Sequence, residues 1–228
     1  MNKCEQCIVR QLSSLRELTR DELIRISHCK TSKIVKRGEV LFNEGDQVNG
    51  VFCIKDGVCK VSKMSENGRD QVIKLITKGD LLGERSLITG GSSNLTARAL
   101  NDMEICFIPK DEIVRDLKQN NNFTMSMLKD LATSLRDADE VIVDMAQKTV
   151  KQRLAETLIH LDNKFPKDDE GYIDVYLTRE DIANIIGTAT ESAIRILSDY
   201  KKKGLINFKG KRIIIQDVKG LERIAQKY

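Results

Sequence analysis

The chain has 228 residues, a formal charge of +4 and no run approaching 18 consecutive apolar residues, which suits a globular protein with one large core or two modest ones and excludes a membrane-spanning helix. The net charge is too small to mark a nucleic-acid binder by itself. Six cysteines lie in the first half of a chain whose N-terminus, Met1 to Arg10, holds no apolar leader, so reduced thiols are expected over a secreted disulfide framework, and the expected location is the cytoplasm.

Leu15, Leu18, Leu23, Ile24 and Ile26 recur among charges, and Thr19 is followed three residues later by Glu22, which predicts a short helix starting at a capping box. From Lys33 to Pro109 the period changes to two. Turn signals recur at Gly38, Gly45-Asp46, Asp56-Gly57, Asn67-Gly68, Gly79-Asp80 and Gly90-Gly91. The runs between them, Val40 to Phe42, Val51 to Ile54, Val58 to Lys63, Gln71 to Ile76 and Glu104 to Ile108, predict a β-sandwich or jelly roll. This segment holds no histidine, which argues against a cupin-like metal enzyme. No catalytic residues are expected.

Helical periodicity returns after Asp111, and a long helix is predicted from about Phe123 to Thr149. Leu128, Leu131, Leu135, Ala138, Ile142 and Met145 fall at alternating steps of three and four, the a/d seam of a homodimer. Packing of the same stripe on its own domain is the alternative. A second helix, Val150 to Phe165, closes near Pro166, and alternation in Tyr172 to Leu177 predicts a strand.

Thr178 caps a helix that carries acids in its first turn and stops at Gly187. Thr188 and Ala189 complete a turn, and a second helix begins at Thr190. Helix, short glycine-containing turn, helix is the geometry that lays a recognition helix in the major groove. Leu205 to Phe208 and Arg212 to Ile215, joined by Lys209-Gly210-Lys211, predict a β-hairpin wing. Glu191 and Arg195 lie four apart on one face, where arginine can donate to guanine O6 and N7 and glutamate can accept from cytosine N4. A surface ion pair between them is the plainer alternative. Thr190, Ser192 and Ile194 join them as the base-reading set, while Thr178, Arg179, Lys209 and Lys211 are expected to hold phosphates. From Leu177 to Tyr228 eleven lysines and arginines face six acids, so this segment carries the whole positive excess.

The chain from Cys4 to about Ala225 resembles the CRP/FNR superfamily of transcription regulators. The match is most specific at Leu177-Thr178-Arg179-Glu180-Asp181-Ile182-Ala183, Gly187 and Glu191-Ser192-Ala193-Ile194-Arg195. The resemblance implies an α+β architecture: an N-terminal β-roll like the cyclic-nucleotide-binding jelly roll (1-118), a long dimerisation helix (119-148) and a C-terminal winged helix-turn-helix (149-228). It implies a homodimer on a palindromic double-stranded operator, with RNA polymerase as a further partner and no membrane.

Two sensing chemistries occur in the resembling family. For a cyclic nucleotide, Gly83, Glu84, Arg85, Ser93 and Asn94 would form the effector pocket, and Glu84 matches the ribose-binding acid. The phosphate-binding arginine is replaced near Ser93-Asn94, which argues against cyclic AMP and for a plain sheet corner. For an iron-sulfur cluster, Cys4, Cys7 and Cys106 match ligands, but the third ligand position is Ser13. Cys29 lies beyond the first predicted helix, and Cys53 and Cys59 are expected to be ordinary buried residues. The effector therefore stays unknown at this point, with a cluster still open. A cyclic-nucleotide-binding module acting on a partner protein is the alternative function.

Overall fold

The computed structural model describes residues 3–66 and 68–226. Asn67, half of an expected turn, and Lys227, one of the counted cations, lie outside the described residues. Two compact units are present, Met1–Lys63 with Ile73–Asp137, and Met64–Val72 with Ala138–Tyr228.

In the first unit, short 3-10 turns at Cys4–Gln6, Ile8–Leu12 and Ser14–Glu17 lead to α1 (Arg20–Cys29). Thr19 and Glu22 close the capping box, each side chain on the other's backbone N–H. The strands are β1 (Thr31–Val35), β2 (Val40–Phe42), β3 (Gly50–Asp56), β4 (Cys59–Met64), β5 (Asp70–Ile76), β6 (Leu81–Leu82), β7 (Thr96–Ala99) and β8 (Met103–Pro109). Between β6 and β7 lies α2 (Glu84–Thr89), and after β8 come α3 (Lys110–Gln119) and α4 (Asn121–Gln147). The segment after Gly79 thus forms a two-residue strand and a short helix, where a plain sheet corner was expected. Its bounding glycines, Gly83 and Gly90, cap that helix at both ends.

The strands form two four-stranded sheets, ordered β1-β8-β3-β6 and β2-β7-β4-β5. Phe52 and Ile54 of β3 and Ile105 of β8 fill the space between them. On the opposite face of the first sheet, Val51, Cys53, Cys106 and Ile108 pack with Leu23 and Ile26 of α1, Ile113 of α3, and Phe123 and Met127 of α4. A sheet covered on both faces needs apolar residues at successive positions, which explains the near-continuous runs in β3 and β8.

In the second unit α5 (Val150–Lys164) starts at a capping box made by Thr149 and Gln152, so Thr149 caps this helix and does not end the long one. It is followed by α6 (Arg179–Ile186), α7 (Thr190–Lys202), β9 (Ile206–Lys209), β10 (Arg212–Ile215) and α8 (Val218–Ala225). The expected strand over Tyr172 to Leu177 does not form. Ile173, Val175 and Leu177 are buried in alternation, but the ladder is one bridge, Lys167 to Ile173, plus the Ile173 N–H donating to Ile213 O at 2.9 Å. The Asp174 N–H to Pro166 O and Asp168 N–H to Tyr172 O bonds, both 2.8 Å, make that single bridge, and it does not extend into a ladder among the described residues.

Candidate nucleic-acid interface

Thr178 Oγ1 accepts from the Asp181 N–H at 3.0 Å while the Thr178 N–H donates to Asp181 Oδ2 at 3.0 Å, which defines the first turn of α6. Its hydroxyl is therefore engaged in the cap and also donates to Asp181 at 2.7 Å. The helix ends at Gly187, whose φ of +64° is the left-handed conformation that glycine takes without strain. A Cβ there would also come within 3.0 Å of Met145 Sδ.

Along α7, Ala193, Ile196, Leu197 and Tyr200 are buried, and the Tyr200 hydroxyl donates to Lys151 O at 2.6 Å. That fixes the opposite face outward. Glu191, Ile194 and Arg195 are exposed, whereas Thr190 and Ser192 are half-buried on its flanks. Glu191 and Arg195 do not pair with each other or with any other described residue, so the plainer i,i+4 ion pair is not formed.

The wing is β9 paired with β10, Lys209 opposite Arg212, with Gly210 at φ +64° in the two-residue turn. Lys211 at its tip is exposed and pairs with no other described residue. Lys209 is engaged: its ammonium lies 2.6 and 2.8 Å from the two Glu170 oxygens. Arg212 is held by Asp168 at 2.5 Å and by Glu170 at 3.5 Å. Lys209 must therefore leave a carboxylate before it can hold a phosphate, a constraint invisible in the sequence because Glu170 is 39 positions away.

Arg179 stacks on the Phe208 ring at 4.1 Å. Burial pulls its pKa below the usual arginine range, and its Nη1 is buried without a hydrogen-bond partner. It lines a cleft of about 520 Å³ together with Ile194, Ser198, Lys201, Lys202 and Phe208. Sequence reasoning assigned no role to Ser198, Lys201 or Lys202. Their spacing from Ile194 along one helical face is the signal that could have found them.

In the roll and the N-terminal turns, neither set of sensing residues matches the family's full set. Ser93 is buried and its hydroxyl donates to Leu95 O at 2.8 Å, and Asn94 is exposed. Lys63 donates to Asn94 O at 3.2 Å and is paired with Glu44 at 2.5 Å. Arg85, at the start of α2, is exposed and its guanidinium pairs with no other described residue. Behind Gly83, a Cβ would meet Gly50 O at 2.6 Å, so that glycine serves close backbone packing. Glu84 keeps one buried, unpartnered oxygen, and burial pushes its carboxyl above the usual range.

For the cluster, Ser13 is buried with its hydroxyl donating to Arg10 O at 3.2 Å. Among the described residues no three histidine, cysteine or acidic side chains stand where they could hold a metal ion. Facing Cys106 Sγ is the ammonium of Lys30, at 3.9 Å. Cys4, Cys7 and Cys106 with Ser13 do not fit a four-thiolate cluster. Cys53 is buried, as expected, and stands directly opposite Cys106 in the β3–β8 register. Burial pushes its thiol up to about 12, with the neighbouring thiols of Cys106, Cys7 and Cys4 adding to the effect.

On α4, Leu128, Leu135 and Ile142 are exposed, and Leu131, Ala138 and Met145 are half-buried. The expected seam residues thus form a row of three exposed side chains one heptad apart beside a second, partly covered row.

Residues 32–120 match the cyclic nucleotide-binding domain, and residues 152–224 match the Crp-like helix-turn-helix domain. The chain is 31% identical over 180 residues to the anaerobic regulatory protein of Bacillus subtilis 168, covering 78% of this chain and 76% of that protein. It is 26% identical over 227 residues to the fumarate and nitrate reduction regulatory protein of Escherichia coli K12, covering 97% and 90%. It shares the fold of FixK2 from Bradyrhizobium japonicum, with a TM-score of 0.79 and 22% identity over 87% of this chain and 98% of that one. No helix among the described residues is long and apolar enough to cross a membrane.

Proposed function

The chain belongs to the CRP/FNR superfamily of transcription regulators, and from that premise we propose that it reads a palindromic operator as a cytoplasmic homodimer and acts on RNA polymerase. The observation that carries the base-reading role is the state of Glu191 and Arg195. Both are exposed and unpaired on the face of α7 opposite its buried stripe. An unpaired acid and base on one exposed helix face keep their hydrogen-bonding capacity for base edges.

Thr190, Ser192 and Ile194 complete the reading face. Arg179, Lys211 and, once free of Glu170, Lys209 hold the phosphates, and Thr178 serves chiefly as the helix cap. The exposed heptad row of α4 pairs two copies and sets the spacing of their reading helices to one helical turn of DNA. Cyclic AMP is not the effector in this reading, because neither Ser93 nor Asn94 supplies the cation its phosphate needs.

The test is selection of a duplex from a random pool, followed by anisotropy titration. Arg195→Ala is expected to weaken the selected operator by about 1 to 3 kcal/mol and to relax one base position in each half-site. Lys211→Ala is expected to weaken every duplex alike and to lower the salt slope by about one. Equal losses on all duplexes for both variants would remove Arg195 from base reading.

A further inference from the structure

Arg179, Lys201 and Lys202 meet in the cleft between α7 and β9, and no carboxylate lines it. The Phe208 ring carries two of them, the Arg179 guanidinium at 4.1 Å and the Lys201 ammonium at 5.8 Å. Asp199, the acid beside them in the chain, is paired with Lys203 at 2.8 Å. Arg179 Nη1 is shut off from solvent without a hydrogen-bond partner, so the cost of desolvating that donor stands unless an acceptor enters the cleft. Ser198 adds no donor, because its hydroxyl donates to Ile194 O at 2.9 Å. The rest of the lining is apolar, made by Ile194, Leu197 and Phe208.

We infer that this cleft binds a small organic phosphate with a flat apolar body, and that this ligand and the operator exclude one another. A guanidinium fork with two ammoniums matches a phosphoryl dianion, Arg179 supplying paired N–H donors and the lysines point charges. A duplex backbone presents only sugars and phosphates, whereas the apolar lining suits a ligand that also carries a ring system. The volume of about 520 Å³ is that of a small-molecule site. Ile194 belongs to the reading face and Arg179 to the phosphate contacts, so a ligand seated here takes two groups that the operator needs. That exclusion rests on the operator reading above; binding of the ligand itself does not.

The probe is 2-naphthyl phosphate, with 2-naphthol and inorganic phosphate each carrying one half of its chemistry. The chain has no tryptophan, so naphthyl emission anisotropy is read directly on the full-length protein without DNA, and inorganic phosphate is read by competition. The probe is expected to bind at least about tenfold more tightly than either half. Arg179→Met is expected to weaken it by about tenfold or more. Because Arg179 opens α6, Lys202→Met on the exposed rim is the second variant, with an expected loss of about threefold. Lys219→Met, an exposed lysine outside the cleft, is expected to stay within about twofold of the parent. At constant ionic strength, saturating probe is expected to raise the apparent operator dissociation constant by about tenfold or more, and inorganic phosphate at the same concentration to leave it within about twofold.

Equal affinity for the probe and either half, unchanged binding in both Arg179→Met and Lys202→Met, or a ternary complex of protein, probe and duplex would overturn the proposal. So would weaker duplex binding by Arg179→Met in a protein that ignores the probe, since the cleft would then serve backbone phosphates alone. A protein that binds the probe yet selects no operator would support the site and count against the operator reading alone.

Discussion

Leu128, Leu135 and Ile142, one heptad apart on α4, are 51%, 65% and 66% exposed, and the proposed pairing of two copies through this row has a calculable strength at its centre. Full burial of a leucine side chain stabilises by about 2 kcal/mol. With about two thirds of that surface still open at Leu135, some 1.3 kcal/mol remains to be gained per copy on association. A symmetric dimer buries the residue twice, which doubles the figure to about 2.6 kcal/mol. Leu135→Ala keeps one methyl, so the expected cost is about 2 kcal/mol, a rise in dimer dissociation constant of roughly thirtyfold. Leu135→Glu places a charge at the same point and is expected to leave monomers at micromolar concentration. Sedimentation equilibrium measures the constants, and circular dichroism checks that the monomer stays folded. Lys129→Ala, on the polar flank, is the control and is expected to change nothing. An unchanged constant in both Leu135 variants would take this row out of the interface.

Three further outcomes follow from ion pairs and burial. Glu170→Gln frees Lys209 and is expected to tighten binding to every duplex by up to about fivefold, the range of an exposed pair, with a steeper salt slope; a loss of affinity in anisotropy titrations would show that Glu170 helps the wing. Arg153 donates to Ile186 O at 2.9 Å, Met145 O at 3.2 Å and Lys148 O at 2.7 Å, so one guanidinium closes the last turns of α4 and α6. Arg153→Met is expected to cost about 2 kcal/mol in urea unfolding of the second unit, and a midpoint within error of the parent would deny it that role. Glu84→Gln tests the raised carboxyl. Below its unfolded value of 4.5 both states are protonated and the substitution is neutral, whereas above its folded value ionisation opposes folding, so the gain in Tm should grow as pH rises from 4.5 to 7.5. A gain that is flat with pH would point to packing.

Periodicity exposed most of the architecture because the relevant signals are local. The 3.6-residue pattern from Leu128 to Met145, the alternation in the roll and the Thr178 and Gly187 helix bounds depend on neighbours within a few residues, and the matching elements formed. The Tyr172 to Leu177 segment shows the limit. Its alternation correctly marks Ile173, Val175 and Leu177 as buried, yet a strand also needs a partner backbone, and that is a property of the surroundings. The segment after Gly79 failed as a plain corner for a related reason, since a six-residue helix is too short to show its own period.

By itself the sequence determined the fold class, the outward face of the recognition helix and the family, since each rests on residues that are close in the chain or on a contiguous motif. Tertiary structure alone decided which charges are free. It spent Lys209 on Glu170, left Glu191 and Arg195 unpaired among the described residues, and carried Lys30 to the sulfur of Cys106. The physical reason is that an ionic or thiol contact is made between points brought together by packing, and a contact across dozens of residues leaves no period along the chain to read.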